Sequence, residues 1–291
     1  MKERYLFVQQ HTEKWPVQVV CQVLRLSRSA YYSWLSSKST SNNHKENQVQ
    51  TSIITTFQQH RRRYGVRRMV VELKEKGINI GSYQVRQLMQ KNGLKAIQPR
   101  SFVPRTTNSR HPYPISPNLL LERPFPVAPN EVWVGDITYI ALAKGSFLYL
   151  AVWIDLYSRK IIGWQLEDNM KEELVIAAFK KAYQSRSTKE GLIIHSDRGG
   201  QYAGNAFRKL MNDKKSLQSM SRADNPYDNA FMESCFSRFK AELMQNGAFE
   251  NKEDAQTEIF EYIEMYYNPI RRHSSLNYVS PVEFEQIYSN N

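Results

Sequence analysis

Cysteine is nearly missing: Cys21 and Cys235 are the only two in 291 residues. They lie far apart and form no CxxC pair, which argues against a disulfide framework or a zinc finger and fits a reducing compartment. Long apolar runs are missing as well. No stretch approaches the roughly 18 apolar residues of a membrane-spanning helix, and the opening MKERYLFVQQHTEKW has no apolar signal core. A soluble, cytoplasmic chain is therefore expected. Negative charge is scarce in one half only. Residues 1–130 carry 21 Lys and Arg against 6 Asp and Glu, whereas residues 131–291 carry 19 against 22. The basic first part points to a polyanion, most often nucleic acid, and leaves a carbohydrate hydrolase with no use for that charge.

What is present begins with a core. Hydrophobic residues make up 41% of the chain, with 17 Tyr, 13 Phe and 5 Trp, so wholesale disorder is excluded. Eight of the 12 prolines fall between Pro99 and Pro129. Such a stretch holds neither a long helix nor a central strand, and reads as an extended linker over 99–129.

Two helical modules precede it. In WPVQVVCQVLRLSRSAYYSWL, Val17, Val20, Cys21 and Leu24 recur at helical spacing, and Ser27 is placed to cap a second helix with Tyr31, Trp34 and Leu35. Helix, short turn, helix over 1–45 is the pattern of a helix-turn-helix, and the polar SSKSTSNNHKENQ after it reads as a hinge. The second module, 46–98, holds a helix from about Arg67 to Lys76, closed by Gly77, and another from Ser82 to Gly93. Its densest positive cluster is Arg61, Arg62, Arg63, Arg67 and Arg68. With Arg86 on the following helix, these form the expected phosphate-contacting patch; a merely solvated face is the plainer alternative.

After the linker the periodicity changes. EVWVGDITYIAL, FLYLAVWIDLYS and KIIGWQLED read as three successive strands, followed by a helix over Lys171 to Ser185. LIIHS is a short buried strand, a helix runs from about Ala203 to Met211, SLQSMS is extended, and a long helix starts near Asp228. The whole is an α/β pattern over 130–246, with a helical segment and tail over 247–291.

Three acids sit in apolar company. Asp136 lies within the first strand, Asp197 ends the LIIHS strand, and Glu233 stands beside Phe231, Met232 and Phe236. Burying carboxylates is costly unless a positive partner is near. A shared hard cation with oxygen ligands explains all three together. Taken singly, Asp136 reads as a bulge or a salt-bridged strand residue, Asp197 as a turn former, and Glu233 as an acid favoured by the helix dipole. Asp155, Asp224 and Asp228 are better explained as a hairpin residue, a turn former and a helix cap.

The motifs WVGDITYI, HSDRGGQYAG, SMSRADNPYDNAFMESCFSRFKAEL and YYNPIRRHSSLNYVSPVEF resemble successive signatures of insertion-sequence-3 family transposases, the product of the second reading frame. YGVRRMVVEL and VLRLSRSAYYSW resemble the family's N-terminal modules, so the likeness covers nearly the whole chain. The resemblance implies a ribonuclease-H-like catalytic core, an α/β fold with a mixed sheet, preceded by small all-α helix-turn-helix modules. It matches Asp136, Asp197 and Glu233 to a DDE triad, with 35 residues between the last two. It matches Lys240, seven positions after Glu233, to a residue that holds a phosphate of the DNA end. It implies two Mg²⁺ ions, with Mn²⁺ substituting, and 3′-end nicking followed by strand transfer.

The implied partners are the element's terminal inverted repeats, target DNA, a second protomer at least, and an upstream reading-frame product by fusion or association. A bacterial, nucleoid-associated location follows from the same likeness. Gly135 replaces the family's usual Thr before the first Asp; Arg25 and Ala30 replace glycines in the first turn. A left-handed Arg25 would cost the turn about 1 kcal/mol. The C-terminal YYNPIRR motif is expected to pack on the core, with Arg271 and Arg272 as further DNA contacts and His273 structural. A DNA-binding regulator with an inactive core, and a nuclease that only hydrolyses, are the alternatives.

Overall fold

The computed structural model describes residues 1–37, 40–99, 111–121, 123–222, 230–245 and 247–290. They separate into two compact units, Met1–Ala96 and Ile97–Asn291. Among the described residues no helix is long and apolar enough to cross a membrane.

The first unit is helical. α1 (Lys2–Gln10), α2 (Val17–Val23) and α3 (Arg28–Ser37) close over Val8, Val20, Cys21 and Tyr31, all buried. The Ala30 amide donates to Ser27 Oγ at 3.4 Å, the expected cap. Arg25 adopts φ +53°, so the turn between α2 and α3 does run through the left-handed region without a glycine. The expected hinge is corrected. From Thr40 onward the segment is the start of α4 (Thr40–Gln59), whose inward residues Ile53, Thr56 and Phe57 appear only near its end. α5 (Val66–Glu75) and α6 (Ser82–Lys91) complete the unit, each followed by a left-handed glycine, Gly77 (φ +78°) and Gly93 (φ +65°). Lys76 Nζ ties back to α4 through Thr56 Oγ1 at 2.8 Å and Gln59 Oε1 at 3.0 Å.

The second unit is built on a five-stranded mixed sheet of order β3-β2-β1-β4-β5. β1 (Val132–Ala141), β2 (Phe147–Asp155) and β3 (Ile161–Glu167) form an antiparallel meander. β4 (Ile193–Ser196) pairs parallel to β1, and β5 (Leu217–Met220) parallel to β4. α7 (Glu172–Gln184), the short α8 (Gly200–Ala203) and α9 (Asn205–Asp213) supply Phe179, Tyr202 and Phe207 to a core with Trp133 and Trp153 on one face. The other face buries Val132, Val134, Ile193 and Ile154 against α10 (Ala230–Leu243), through Phe236, Phe239 and Leu243, and against α11 (Lys252–Phe260). α11 continues as a π-helical segment, Glu261–Tyr267, and the fold closes with α12 (Pro281–Ser289), capped by Ser280.

Part of the proline-rich stretch is structural. Residues 111–121 form neither helix nor strand, as expected, but they lie along β5: Leu119 N donates to Ser219 Oγ at 2.9 Å and Ser116 Oγ to Gln218 Oε1 at 3.0 Å. An extended chain rich in proline can still follow a sheet edge with the donors it retains. α12 is held by a half-buried ionic knot. Arg186 donates to Glu285 and to the fully buried Asp155 (3.4 Å), while Lys160 reaches Glu285 at 3.1 Å.

Candidate active site

The parallel register of β1 and β4 decides where the acids stand. Val132 pairs with Ile193, Trp133 with Ile194 and Val134 with His195. Val132, Val134 and Ile193 face α10, whereas Trp133 and Ile194 face α7. β4 ends at Ser196, so Asp197 stands just past its carboxyl end, next to the strand that carries Asp136. Each is half-buried. The chain turns at once after Asp197: its Oδ1 accepts from Gly199 N at 2.9 Å, while Asp136 Oδ1 accepts from Ile137 N at 2.7 Å.

α10 brings the next members. Lys240 is half-buried on this helix; burial lowers its pKa and the charge of Asp136 opposes that shift. Glu233 lies seven residues earlier, nearly two turns and on the same face. Its side chain, like Asp224 and Asp228, lies outside the described residues. Among the described residues no group of three acids, histidines or cysteines is assembled for a metal.

Sequence reasoning gave Tyr202 no role, although it sits inside the HSDRGGQYAG motif. Its ring is fully buried, T-shaped against Trp153 and Phe207, and its hydroxyl has no hydrogen-bond partner among the described residues. Burial, then the charges of Asp136 and Asp197, raise its pKa well above that of a free phenol. His111 was also missed. Its Nε2 meets the Arg198 carbonyl at 2.8 Å, so the segment ahead of the sheet braces the turn after Asp197. Arg198 itself is turned away, donating to the Ser221 carbonyl at 2.7 Å. His195 is buried and bonded to Ser219 at 2.8 Å.

Gly135 has a local reason. It pairs with Trp153 on β2, and a Cβ built on it would meet the indole at 2.4 Å. The indole occupies the space that a threonine would need. Asp155 is fully buried and accepts the amides of Asn130 (2.7 Å), Tyr157 (3.0 Å) and Ser158 (3.1 Å). It is a turn-holding residue, as the sequence reading had it.

Two expectations about arginines need correction. Arg271 and Arg272 are buried, 3% and 9% exposed, and do not face a ligand. Arg271 forks onto Glu242, and Arg272 donates to the Tyr278 carbonyl at 2.9 Å. In the first unit, Arg63 is also buried, at 7% exposure. Arg61, Arg62, Arg67 and Arg86 are exposed, and Arg68 is half-buried over the Tyr64 ring. Arg61 and Arg62 both take positive φ (+46° and +62°) in the turn between α4 and α5.

A ribonuclease-H-like sheet with Asp136 on β1 and Asp197 at the end of the adjacent β4 defines the class: an integrase-type catalytic core joined to a helical DNA-binding unit. Family models agree. An integrase core domain matches residues 126–226, a second integrase core model matches 215–281, and an HTH-like domain matches 44–102. The chain is 34% identical to the transposase InsF of insertion sequence IS3A from Escherichia coli K12, over 97% of this chain and 98% of that one. It is 40% identical to the transposase of insertion sequence element IS904 from Lactococcus lactis, over 81% and 93%. The chain belongs to the insertion-sequence-3 family of transposases. These relatives do not favour the regulator reading. A solved simian T-cell lymphotropic virus intasome in complex with PP2A regulatory subunit B56 gamma covers 80% of this chain and 73% of its own, at 14% identity and a TM-score of 0.47.

Proposed function

We propose that this transposase binds the terminal inverted repeats of its own insertion sequence, nicks the DNA to free a 3′-OH and joins that end to target DNA. The observation that carries the reading is the placement of Asp136 on β1 and of Asp197 at the end of the adjacent β4, with α10, which bears Glu233 and Lys240, packed on the same sheet. Asp136, Asp197 and Glu233 act as the DDE triad. Their donor set is all oxygen, which suits a hard divalent cation. These three residues would hold two Mg²⁺ ions, with Mn²⁺ substituting. Bound there, such ions would supply polarisation of the scissile phosphate, activation of water or a 3′-OH, and stabilisation of the leaving oxygen.

The rest is done by the chain. Lys240 takes a phosphate oxygen of the DNA end, kept near the reacting phosphate by its place on α10. The two acids stay fixed on adjacent strands, so both displacements at phosphorus use one rigid frame and need no covalent protein intermediate. Residues 1–45 and 46–98 recognise the DNA ends, with Arg61, Arg62, Arg67, Arg68 and Arg86 on phosphates, 99–129 links them to the core at 130–246, and 247–291 braces that core. Joining two ends calls for at least two protomers on the DNA. A cytoplasmic, nucleoid-associated location follows from the substrate.

Labelled duplexes copied from the DNA flanking the gene test the reading. Wild type should nick and join them with Mg²⁺ or Mn²⁺, and Glu233→Gln should bind them without reacting. Unimpaired joining by Glu233→Gln would refute the triad.

A further inference from the structure

We propose that the buried Arg271–Glu242 ion pair is a positioning device that fixes the register of α10, and with it Glu233 and Lys240, against Asp136; the proposal rests on the metal-site reading above. Glu242 follows Lys240 by two residues, which turns it about 200° round the helix, away from the acids on the sheet. There Arg271 grips it with both arms of its fork, Nε to Oε2 at 2.7 Å and Nη2 to Oε1 at 2.6 Å, and the Tyr262 hydroxyl adds a third bond at 2.9 Å. Both charged side chains are almost wholly buried, 3% and 4% exposed. Arg271 is itself held from two further sides: Nη1 lies 3.2 Å from His273 Nε2, and the guanidinium sits 5.5 Å over the Tyr267 ring.

Stability alone does not account for such a pair. Desolvating two charges offsets most of their attraction, and apolar residues of similar size often do as well or better. The fork supplies direction instead. Phe236, Phe239 and Leu243 press α10 onto the sheet. Apolar contacts of that kind resist separation more than they resist sliding or rotation. A slip of one residue would turn the helix by about 100° and shift it by about 1.5 Å. Such a slip would carry positions 233 and 240 out of their places over the sheet while leaving the fold closed. Tyr262 reinforces the register by packing its ring edge-on against Phe239 of the same helix at 5.0 Å.

The test uses the full chain and reads Mn²⁺ binding from the EPR signal of the free ion, alongside melting temperature and DNA-end binding. The apolar pair Glu242→Leu with Arg271→Met should melt at or above wild type and bind DNA ends equally well. Its Mn²⁺ affinity should fall by about tenfold or more, the range typical of residues that orient metal ligands, and joining should fall with it. Tyr262→Phe keeps the ion pair and removes one hydroxyl, so a smaller loss at unchanged melting temperature is expected. Wild-type Mn²⁺ affinity in the apolar pair overturns the proposal. If that pair fails to fold, Tyr262→Phe decides: unchanged Mn²⁺ affinity overturns the proposal, and weaker binding at unchanged stability supports it. Mn²⁺ affinity that Glu233→Gln leaves intact would sink the metal-site reading first, and the positioning role with it.

Discussion

Replacing Gly135 with alanine should destabilise the second unit, and the sign is what makes the test sharp. In an ordinary strand this change stabilises by about 0.5–1 kcal/mol, because glycine loses more backbone freedom on folding. Here the added Cβ would stand 2.4, 2.5 and 2.6 Å from three carbons of the Trp153 ring. That ring has no easy retreat. It is fully buried, T-shaped on Phe179 and Tyr202 at 5.7 Å, stacked on Phe207 at 5.9 Å, and donates its Nε1 to the Val175 carbonyl at 3.4 Å. Overpacking of a closed site costs about 1–3 kcal/mol, enough to outweigh the gain. In a unit of this size each kcal/mol lowers the melting temperature by roughly 2–4 °C. Urea and thermal unfolding of Gly135→Ala, Trp153→Leu and the double variant measure the coupling directly. The cost should vanish in the Trp153→Leu background. An alanine variant as stable as wild type, or a cost that persists without the indole, would refute the packing described.

Arg63 and Arg67 should behave oppositely despite standing in one cluster. Arg63→Ala should lower the melting temperature, whereas Arg67→Ala should weaken DNA binding across all sequences and reduce the slope of log affinity against log salt by about 1; equal effects of the two in a salt titration would contradict their difference in burial. Glu285 supplies a pH dependence. Burial pushes its carboxyl up, but the bonds from Arg186 and Ser158 and the charges of Arg186 and Lys160 outweigh that and hold it below the usual value. Its stability contribution is therefore complete above the unfolded-state pKa, about 4.3, and is lost as pH falls through the lower folded value. Asp155, raised chiefly by burial, titrates in the opposite sense. The difference between wild type and Glu285→Gln in unfolding free energy should thus shrink below about pH 4; a constant difference down to pH 2 would contradict the knot.

Much of the core was legible because its strands are long and apolar. The β1–β2–β3 meander, α7 and the short LIIHS strand follow from run length and flanking turns. Asp136 and Asp197 drew notice for the same reason, as charges in apolar strands. α4 was not legible, since its first half is polar and its fully buried apolar residues, Ile53 and Phe57, fall in its second half. α1 was missed too, with Val8 its single fully buried residue. The arginines show a different limit. Nothing local distinguishes Arg63 or Arg271 from a surface cation; what buries Arg271 is Glu242, 29 positions away. Tyr202 was visible as a letter in a motif, but its packing against Trp153 and Phe207 depends on where α8 folds back.

Whether Asp197 holds metal is tested most directly by Asp197→Cys in the joining assay. A thiolate is a poor ligand for Mg²⁺ and a better one for Mn²⁺. The expected result is loss of joining in Mg²⁺ with measurable recovery in Mn²⁺, at unchanged DNA-end binding. Joining in Mg²⁺ equal to wild type would show that Asp197 does not hold the ion, and the site would have to be sought elsewhere.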